Sequence, residues 1–394
     1  MIKPEKRALV AAFANPSASP RPRLMIERAR AAGYKVSLFS LPPTTQLEPE
    51  AVHIISPCAS KWKWRRRFAA VILGLGYQLF RKSKHREKLI ELAFGLGSYS
   101  KPFVGERYDI LIVEDLFLLP YCLRHSNGAR ILFDAREYYP KQREGDLLFE
   151  LFELPVREWA CKNYLLRCSQ VFTVSTGISE AYQSNFGVKA TVLRSTPPFI
   201  PDPPPHAQSE NDTIRMVHLG VANKNRQLEN MIEIFSRLKS GFSFDMYLSG
   251  NNPYILWLQQ KAKGIKGINI LPPVAPSEII PTLKKYDVGL YYLEPKGFNL
   301  KYSLPNKFFE FIQARLAIAI GPSPEMARLV DEFQCGFVAK EFTIEAMVET
   351  LNGLDRSAVN DAQKGSRSAA ESLCAENEWK KVDDCLRDEG VTKS

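Results

Sequence analysis

The sequence predicts an α/β protein built as two Rossmann-like domains facing a central cleft. Three observations carry this. Short apolar runs rich in β-branched residues alternate with amphipathic helical patterns. The alternation stops once, in the proline-dense stretch RSTPPFIPDPPPHAQSENDT, residues 194–213, and then restarts. The length, 394 residues, exceeds what a single hydrophobic core commonly serves. Alternating strands and helices build parallel sheets covered on both faces, because each crossover lays a helix against the sheet. Ligands of such sheets bind beyond the carboxyl ends of the strands. Function is therefore expected in the loops that follow strands.

The first domain is expected over residues 1–195. Its strands read as Ala8–Phe13, Lys35–Ser40, His53–Ser56, Asp109–Val113, Arg130–Phe133, Val171–Val174 and Thr191–Leu193. Amphipathic segments lie between several of them, at Arg23–Ala32 and Leu147–Arg167. Residues 196–212 form the linker. The second domain spans 213–370, with strands at Arg215–Leu219, Phe244–Leu248, Asn269–Leu271, Val288–Tyr292, Ala317–Ile320 and Gly336–Val338. Its helical patterns are Gln227–Lys239, Pro253–Ala262, Pro276–Lys285, Asn306–Ala314 and Pro324–Phe333. A closing helix and tail occupy 371–394, and the segment ENEWKKVDDCLRDEG there fits either domain.

Composition narrows the class. Apolar residues make up 45% and charged residues 24%, the proportions of a folded globular chain. No apolar run reaches the length of about eighteen residues that a membrane span needs. The start of the chain lacks a convincing signal-peptide core and cleavage site. Seven cysteines without paired spacing argue against a disulfide framework and a structural zinc, and for a cytoplasmic location. The net charge of +10 suits an anionic partner such as a nucleotide or membrane surface.

The segment YSLPNKFFEFIQARLAIAIGPSPE, Tyr302 to Glu325, raises a question of charge placement. Pro305 and Asn306 open a helix, and Lys307 then sits in its first turn, where the helix dipole disfavours a cation. Glu310 shares a helix face with Lys307. A capping box does not explain the pair: with Asn306 as cap, Glu310 comes one residue late, and Lys307 would cap poorly. A helix N-terminus attracts phosphate, however, and a lysine paired with that phosphate no longer opposes the dipole. A carboxylate that accepts two hydroxyl hydrogen bonds suits a ribose diol. Lys307, Glu310 and Asn306 are thus candidate nucleotide-binding residues. The loop HLGVANKNRQLEN supplies Lys224 and Arg226 after a strand, placed for a diphosphate; arginine offers phosphate a fork of donors. The loop GLYYLEPKGFNLKYSLPNK supplies Asn299 and Ser303 for sugar or phosphate contacts. His218 ends a core strand and is read as packed rather than as a ligand.

In the first domain, IVEDLFLLP ends a strand with Glu114 and Asp115, and LFDAREYYP ends another with Asp134, Arg136 and Glu137. A general base, if the reaction needs one, would come from this set. Glu137, Asp115 and Arg136 are the catalytic candidates. No D-x-D triplet stands at a strand end and no His and carboxylate cluster has metal spacing, so no metal and no cofactor are expected. A final feature is KWKWRRRFAAVILGLGYQLFRKSKHREK, residues 61–88, in which an apolar run of thirteen residues from Phe68 to Phe80 lies between cationic flanks. It fits an interfacial membrane segment, a buried helix with solvated ends, or, through its aromatics, a nucleic-acid patch. Nucleic acid is not the expected partner.

Taken in order, these motifs resemble the GT-B-fold glycosyltransferases, in particular the large family-4-like group. YSLPNKFFEFIQARLAIAIGPSPEMARLV resembles their donor-site segment, and HLGVANKNRQLENMIEIFSRL looks like their second-domain phosphate loop and helix. DILIVEDLFLLPYCLRHSNGARILFDAREYYP and SPRPRLMIERARAAGYKVSLFS are similar to first-domain segments. The resemblance implies a sugar transfer from a nucleotide-diphosphate sugar to a glycan or lipid-linked acceptor, as in cell-surface polysaccharide synthesis. It implies that Glu310 grips the ribose and that Arg226 meets the diphosphate, and it favours a peripheral location at the inner membrane face. Three positions depart from the pattern. Tyr302 stands where many members keep a first glutamate, Arg136 replaces a histidine, and NPSASP replaces a glycine pair. A sugar-nucleotide epimerase and a catalytically inert membrane-associated scaffold are the alternatives.

Overall fold

A computed structural model describes residues 5–42, 49–55, 63–79, 83–94, 96, 101–201, 213–250 and 252–387, without the side chains of 63–70, 83 and 101. The chain forms two compact units. The first comprises Met1–Arg194, Gly297–Asn299 and Trp379–Ser394; the second comprises Ser195–Lys296 and Leu300–Glu378.

The described residues of the first unit hold a seven-stranded parallel sheet. Its strands are β1 (Arg7–Ala12), β2 (Lys35–Ser40), β3 (Val52–Ile54), β4 (Ile110–Val113), β5 (Arg130–Asp134), β6 (Gln170–Thr173) and β7 (Thr191–Val192), in the spatial order β3-β2-β1-β4-β5-β6-β7. β4 reads ILIV, and every one of its residues is buried, as a strand covered on both faces requires. The winding runs outward from β1 to β3 and then restarts at β4 on the other side. The carboxyl ends of β1 and β4 therefore flank the switch point, where open sheets take ligands. The helix Ala375–Arg387 completes this unit from its Trp379 onward. Trp379, Val382 and Leu386 are buried. Tyr34 donates a 3.0 Å hydrogen bond to the Leu386 carbonyl, and Arg130 donates one of 2.9 Å to that of Cys385.

The second unit repeats the plan. Strands β8 (Ile214–Ala222), β9 (Phe242–Gly250), β10 (Ile268–Leu271), β11 (Val288–Tyr291), β12 (Ala317–Ile320) and β13 (Gly336–Val338) form a parallel sheet in the order β10-β9-β8-β11-β12-β13. Its switch point lies between β8 and β11. Successive residues of β12 alternate between the two faces: Ala317 and Ala319 join one apolar cluster, Ile318 and Ile320 the other. The helix Asn306–Gln313 covers the second face with Phe308, Phe309, Phe311 and Ile312, all fully buried. Gly289 of β11 leaves the room that the Phe311 ring occupies; a Cβ there would overlap the ring.

Several expectations need correction. Pro305, in extended conformation, is the N-cap of the Asn306–Gln313 helix, so Asn306 is its first residue and no side chain caps it. The segment Leu147–Arg167 is not one helix: a π-helix at Phe149–Glu153 leads into Leu154–Tyr164 and a 3-10 turn at Leu165–Arg167. A proline at the second position, Pro155, suits that restart because it needs no amide partner there. β3 ends at Ile54, and Ser56 lies outside the described residues. Helices Ser83–Phe94, Leu119–His125, Thr176–Phe186, Ile344–Asn352 and Arg356–Ser372 were not anticipated. The basic segment 61–88 holds the helix Lys63–Leu79 and the start of Ser83–Phe94, whereas Lys61, Trp62 and 80–82 lie outside the described residues. So do 202–212 of the linker and 388–394 of the tail.

Candidate functional site

The second unit gathers its charged groups at its switch point. β8 brings His218 and Gly220, β11 brings Tyr291, and the helix Asn306–Gln313 brings Lys307 and Glu310. Lys307 sits at the second helical position, only 9% exposed, and its Nζ has no hydrogen-bond partner among the described residues. Burial, reinforced by the Arg226 guanidinium, pulls its pKa down to about 8, against the pull of Glu310. Glu310 is shifted the other way, raised by burial and held back by Lys307. The ammonium lies 5.5 Å from the centre of the Tyr291 ring, a cation–π contact that partly replaces lost hydration. Gly220 leaves the ammonium its place, since a Cβ at that position would displace Nζ.

His218 is fully buried, and its Nδ1 lies 3.0 Å from the Leu290 carbonyl. Burial and then the nearby Lys307 charge push its pKa well down, so the ring is neutral, with Nδ1–H as the donor. This matches the reading of a packed residue, yet the ring also lines the cation site and stacks against Tyr291. Arg226 ends a 3-10 turn, Lys224–Arg226, closed by Gln227 in the left-handed region at φ 47°. A glutamine in that conformation carries strain, which clusters at functional sites.

The other predicted donor-site residues are spread more widely. Lys224 and Asn306 are exposed. The Ser303 hydroxyl donates 2.9 Å to the Leu300 carbonyl. Asn299 belongs with the first unit, where its side chain accepts from the Tyr138 amide at 2.7 Å and donates to the Tyr138 carbonyl at 3.1 Å. Its amide thus bonds the Tyr138 backbone from both ends.

The first unit gathers carboxylates at its own switch point. Asp134, at the end of β5, is gripped bidentately by Arg21 at 2.7 and 2.8 Å. Glu114 follows β4. It is fully buried, and neither of its carboxylate oxygens has a hydrogen-bond partner among the described residues. Burial and then Asp134 raise its pKa to about 8, against Arg136 and Arg21. Arg136 does not pair with Glu137. It stands 3.9 Å from Glu114; burial lowers its pKa, but Glu114, Asp134, Tyr139 and Asp115 together outweigh burial and raise it. Asp115 accepts from the Phe117 amide at 3.1 Å, and Glu137 is exposed. The sequence reading thus put its weight on Asp115 and Glu137, whereas burial singles out Glu114. Among the described residues no group of three or more His, Cys, Asp or Glu could hold a metal ion.

No family model matches the sequence, and a search of curated proteins returns no match. Solved structures do match. A sucrose-phosphate synthase from Thermosynechococcus elongatus superposes with a TM-score of 0.66 at 12% identity, over 97% of each chain. A trehalose 6-phosphate synthase from Burkholderia multivorans gives 0.65 at 10% identity, over 97% of this chain and 98% of that one. WaaG, a glycosyltransferase involved in lipopolysaccharide biosynthesis, gives 0.61 at 11% identity, over 97% and 100%. The chain has the GT-B fold. The fold expected from its motifs is thus the one these solved structures share with it. Within this GT-B chain the switch points carry two charge sets: a cation site in the second unit and a buried carboxyl pair in the first. Gly220 and Tyr291 escaped the sequence reading. A strand that runs straight into a polar loop was the only available signal for Gly220, and Tyr291 read as the end of an apolar run.

Proposed function

We propose that the protein is a glycosyltransferase that moves a sugar from a nucleotide-diphosphate sugar to a glycan or lipid-linked acceptor in cell-surface polysaccharide synthesis. The observation that carries this reading is Lys307. A buried ammonium with no hydrogen-bond partner, at the N-terminus of a helix whose dipole repels it, is costly by itself. An incoming diphosphate removes the cost, because its oxygens satisfy the ammonium and the helix amides together. Lys307 and Arg226 then balance the charge that develops on the departing nucleoside diphosphate, with no metal required. Glu310, on the same helix face, takes the ribose hydroxyls. The second unit binds the donor and the first unit takes the acceptor.

A peripheral site at the inner membrane face is part of the proposal. The helix Lys63–Leu79 buries Leu73, Gly74 and Gly76 but exposes Ile72, Leu75 and Leu79, one stripe at helical spacing. It crosses the Phe149–Glu153 helix at Gly74 and Phe152, where a Cβ on Gly74 would come within 2.6 Å of the Phe152 backbone. Next to that crossing Leu148 and Leu151 are exposed as well. The first turns of the same helix carry Lys63, Arg65, Arg66 and Arg67 and no acidic residue. An apolar stripe continuing a basic turn suits a surface of anionic lipid.

The test is a thermal-shift series with UDP, GDP, ADP and CMP, followed by release of nucleoside diphosphate from the matching sugar donors. One nucleoside diphosphate should stabilise the protein, and its sugar conjugate should be consumed. Indifference to every nucleotide and every donor would leave the scaffold reading in its place. For the membrane, the protein should sediment with anionic phospholipid vesicles, less at high salt. Neutralising Lys63, Arg65, Arg66 and Arg67 together without loss of sedimentation would defeat that part.

A further inference from the structure

Glu114 has no task in the scheme so far. It lies at the carboxyl end of the central strand β4, its amide donating 2.9 Å to the Ala11 carbonyl of β1. The side chain therefore stands at the switch point itself. Four charged groups face it: Asp134 from β5, Arg136 from the loop after β5, Arg21 from the helix Pro20–Ala31, and its neighbour Asp115. Arg21 is committed to Asp134 through two short hydrogen bonds. The Arg136 Nη2 atom is 3.9 Å from the Glu114 carboxylate, beyond hydrogen-bond reach, and 3.5 Å from the Glu114 carbonyl. One carboxyl of the pair is thus held by a guanidinium through both of its oxygens. The other is buried beside it without a donor, an arrangement that favours its neutral form.

We propose that Glu114 is a sugar-recognition residue, whose buried carboxyl group takes a hydroxyl of the donor or acceptor sugar as its missing hydrogen-bond partner. This rests on the glycosyltransferase reading above. The chemistry fits a hydroxyl on both counts. A neutral carboxyl donates through its O–H and accepts at its carbonyl, and a hydroxyl accepts and donates in return. A general base would have to be ionised in the free enzyme, which the surroundings of Glu114 oppose. The adjoining Arg136 side chain is 39% exposed, so a ligand arriving from solvent meets Arg136 before Glu114.

The experiment compares the full-length protein with Glu114→Gln and Glu114→Leu, using nucleotide sugars with and without a sugar acceptor. Glutamine keeps the shape and the mixed donor and acceptor character of the neutral acid; leucine keeps only the bulk. Glu114→Leu should lower kcat/KM by about a hundredfold, the cost of an unmet hydroxyl partner. Glu114→Gln should rescue most of that, losing about threefold, and its alkaline fall in kcat/KM should be shallower than the parent's, keeping the part that Lys307 causes and losing the part that ionisation of Glu114 adds. Deoxy analogues locate the hydroxyl. The analogue lacking it, donor or acceptor, should be used equally well by the parent and the leucine variant. A nucleotide-induced thermal shift shows that each variant is folded. An active parent with glutamine and leucine variants equally crippled and folded would identify a base and overturn the inference alone. A parent inert to every donor would overturn the glycosyltransferase reading, and this inference with it.

Discussion

The two switch points solve opposite problems with the same device. In the second unit a lysine is buried at a helix N-terminus; in the first a glutamate is buried at a strand end. Neither has a hydrogen-bond partner among the described residues, and each has its pKa drawn to about 8, one downward and one upward. What separates them is the neighbourhood. Lys307 has Arg226 near it and only a partly opposing Glu310, so its surroundings remain short of negative charge. Glu114 sits beside an aspartate that has already claimed the best cation. The cation site calls for an anion, while the carboxyl site calls for a neutral polar group. Under the proposed function the nucleoside diphosphate is that anion and a sugar hydroxyl is that neutral group.

The largest effects should fall on the cation site. Glu310→Ala is expected to abolish transfer while leaving the circular-dichroism spectrum and melting cooperativity unchanged; full activity would end its assignment. Lys307→Met should weaken nucleoside diphosphate binding by about 10- to 100-fold, the worth of a charge-assisted hydrogen bond. The same substitution should raise the Tm of the ligand-free protein at neutral pH, since it removes an unpaired buried charge. A lowered Tm would mean that Lys307 already has a structural counter-charge.

Somewhat smaller is the effect of crowding the ammonium. Gly220→Ala should push Nζ aside at little cost in stability, because the end of a lysine is flexible, and weaken nucleotide binding about tenfold. Calorimetric titration of the folded variant decides this.

The comparison also predicts two opposed pH dependences. Glu114 has a folded pKa above its unfolded one, so between about 4.5 and about 8 the folded state holds a proton that the unfolded state has lost. Its contribution to stability is present at low pH and lost as pH rises through that window. The Tm advantage of Glu114→Gln over the parent should therefore widen from pH 5 to pH 8. Lys307 has a folded pKa below its unfolded one, so its burial penalises folding below about 8 and the penalty fades toward 10.5. Binding shows the reverse trend: nucleoside diphosphate affinity should weaken as pH rises past about 8 and Lys307 becomes neutral. Equal slopes in the parent and in Lys307→Met would break this account.

Much of the plan was legible because it rests on local patterns. The strands of the second unit and the helix Pro324–Phe333 were visible from β-branched runs and a proline at the first helical position. Lys307 and Glu310 draw attention in the sequence because a cation in a helix's first turn is a local anomaly, and Arg226 because it stands in a polar loop after a strand. Helices such as Arg356–Ser372 were missed since small and polar residues blur the apolar stripe; the helix buries Val359 but otherwise only Ala362, Ser366, Ala369 and Ala370. Glu114 was passed over for a different reason. Four carboxylates stand at those strand ends, and only packing decides which takes an arginine, which takes a backbone amide, which faces solvent and which is buried without a hydrogen-bond partner among the described residues. Gly220 and Tyr291 are likewise defined by what stands opposite them.

The last described helix has a consequence for synthesis. Trp379, Val382 and Leu386 fill the core of the first unit, and Tyr34, Arg28 and Arg130 all bond to residues of the same helix. The first half of the chain emerges from the ribosome without the piece that closes its core. The second unit, by contrast, is complete by Glu378. The order of completion is thus inverted relative to the usual amino-terminal-first sequence. Nascent first units would wait, partly open, until the second unit has been synthesised.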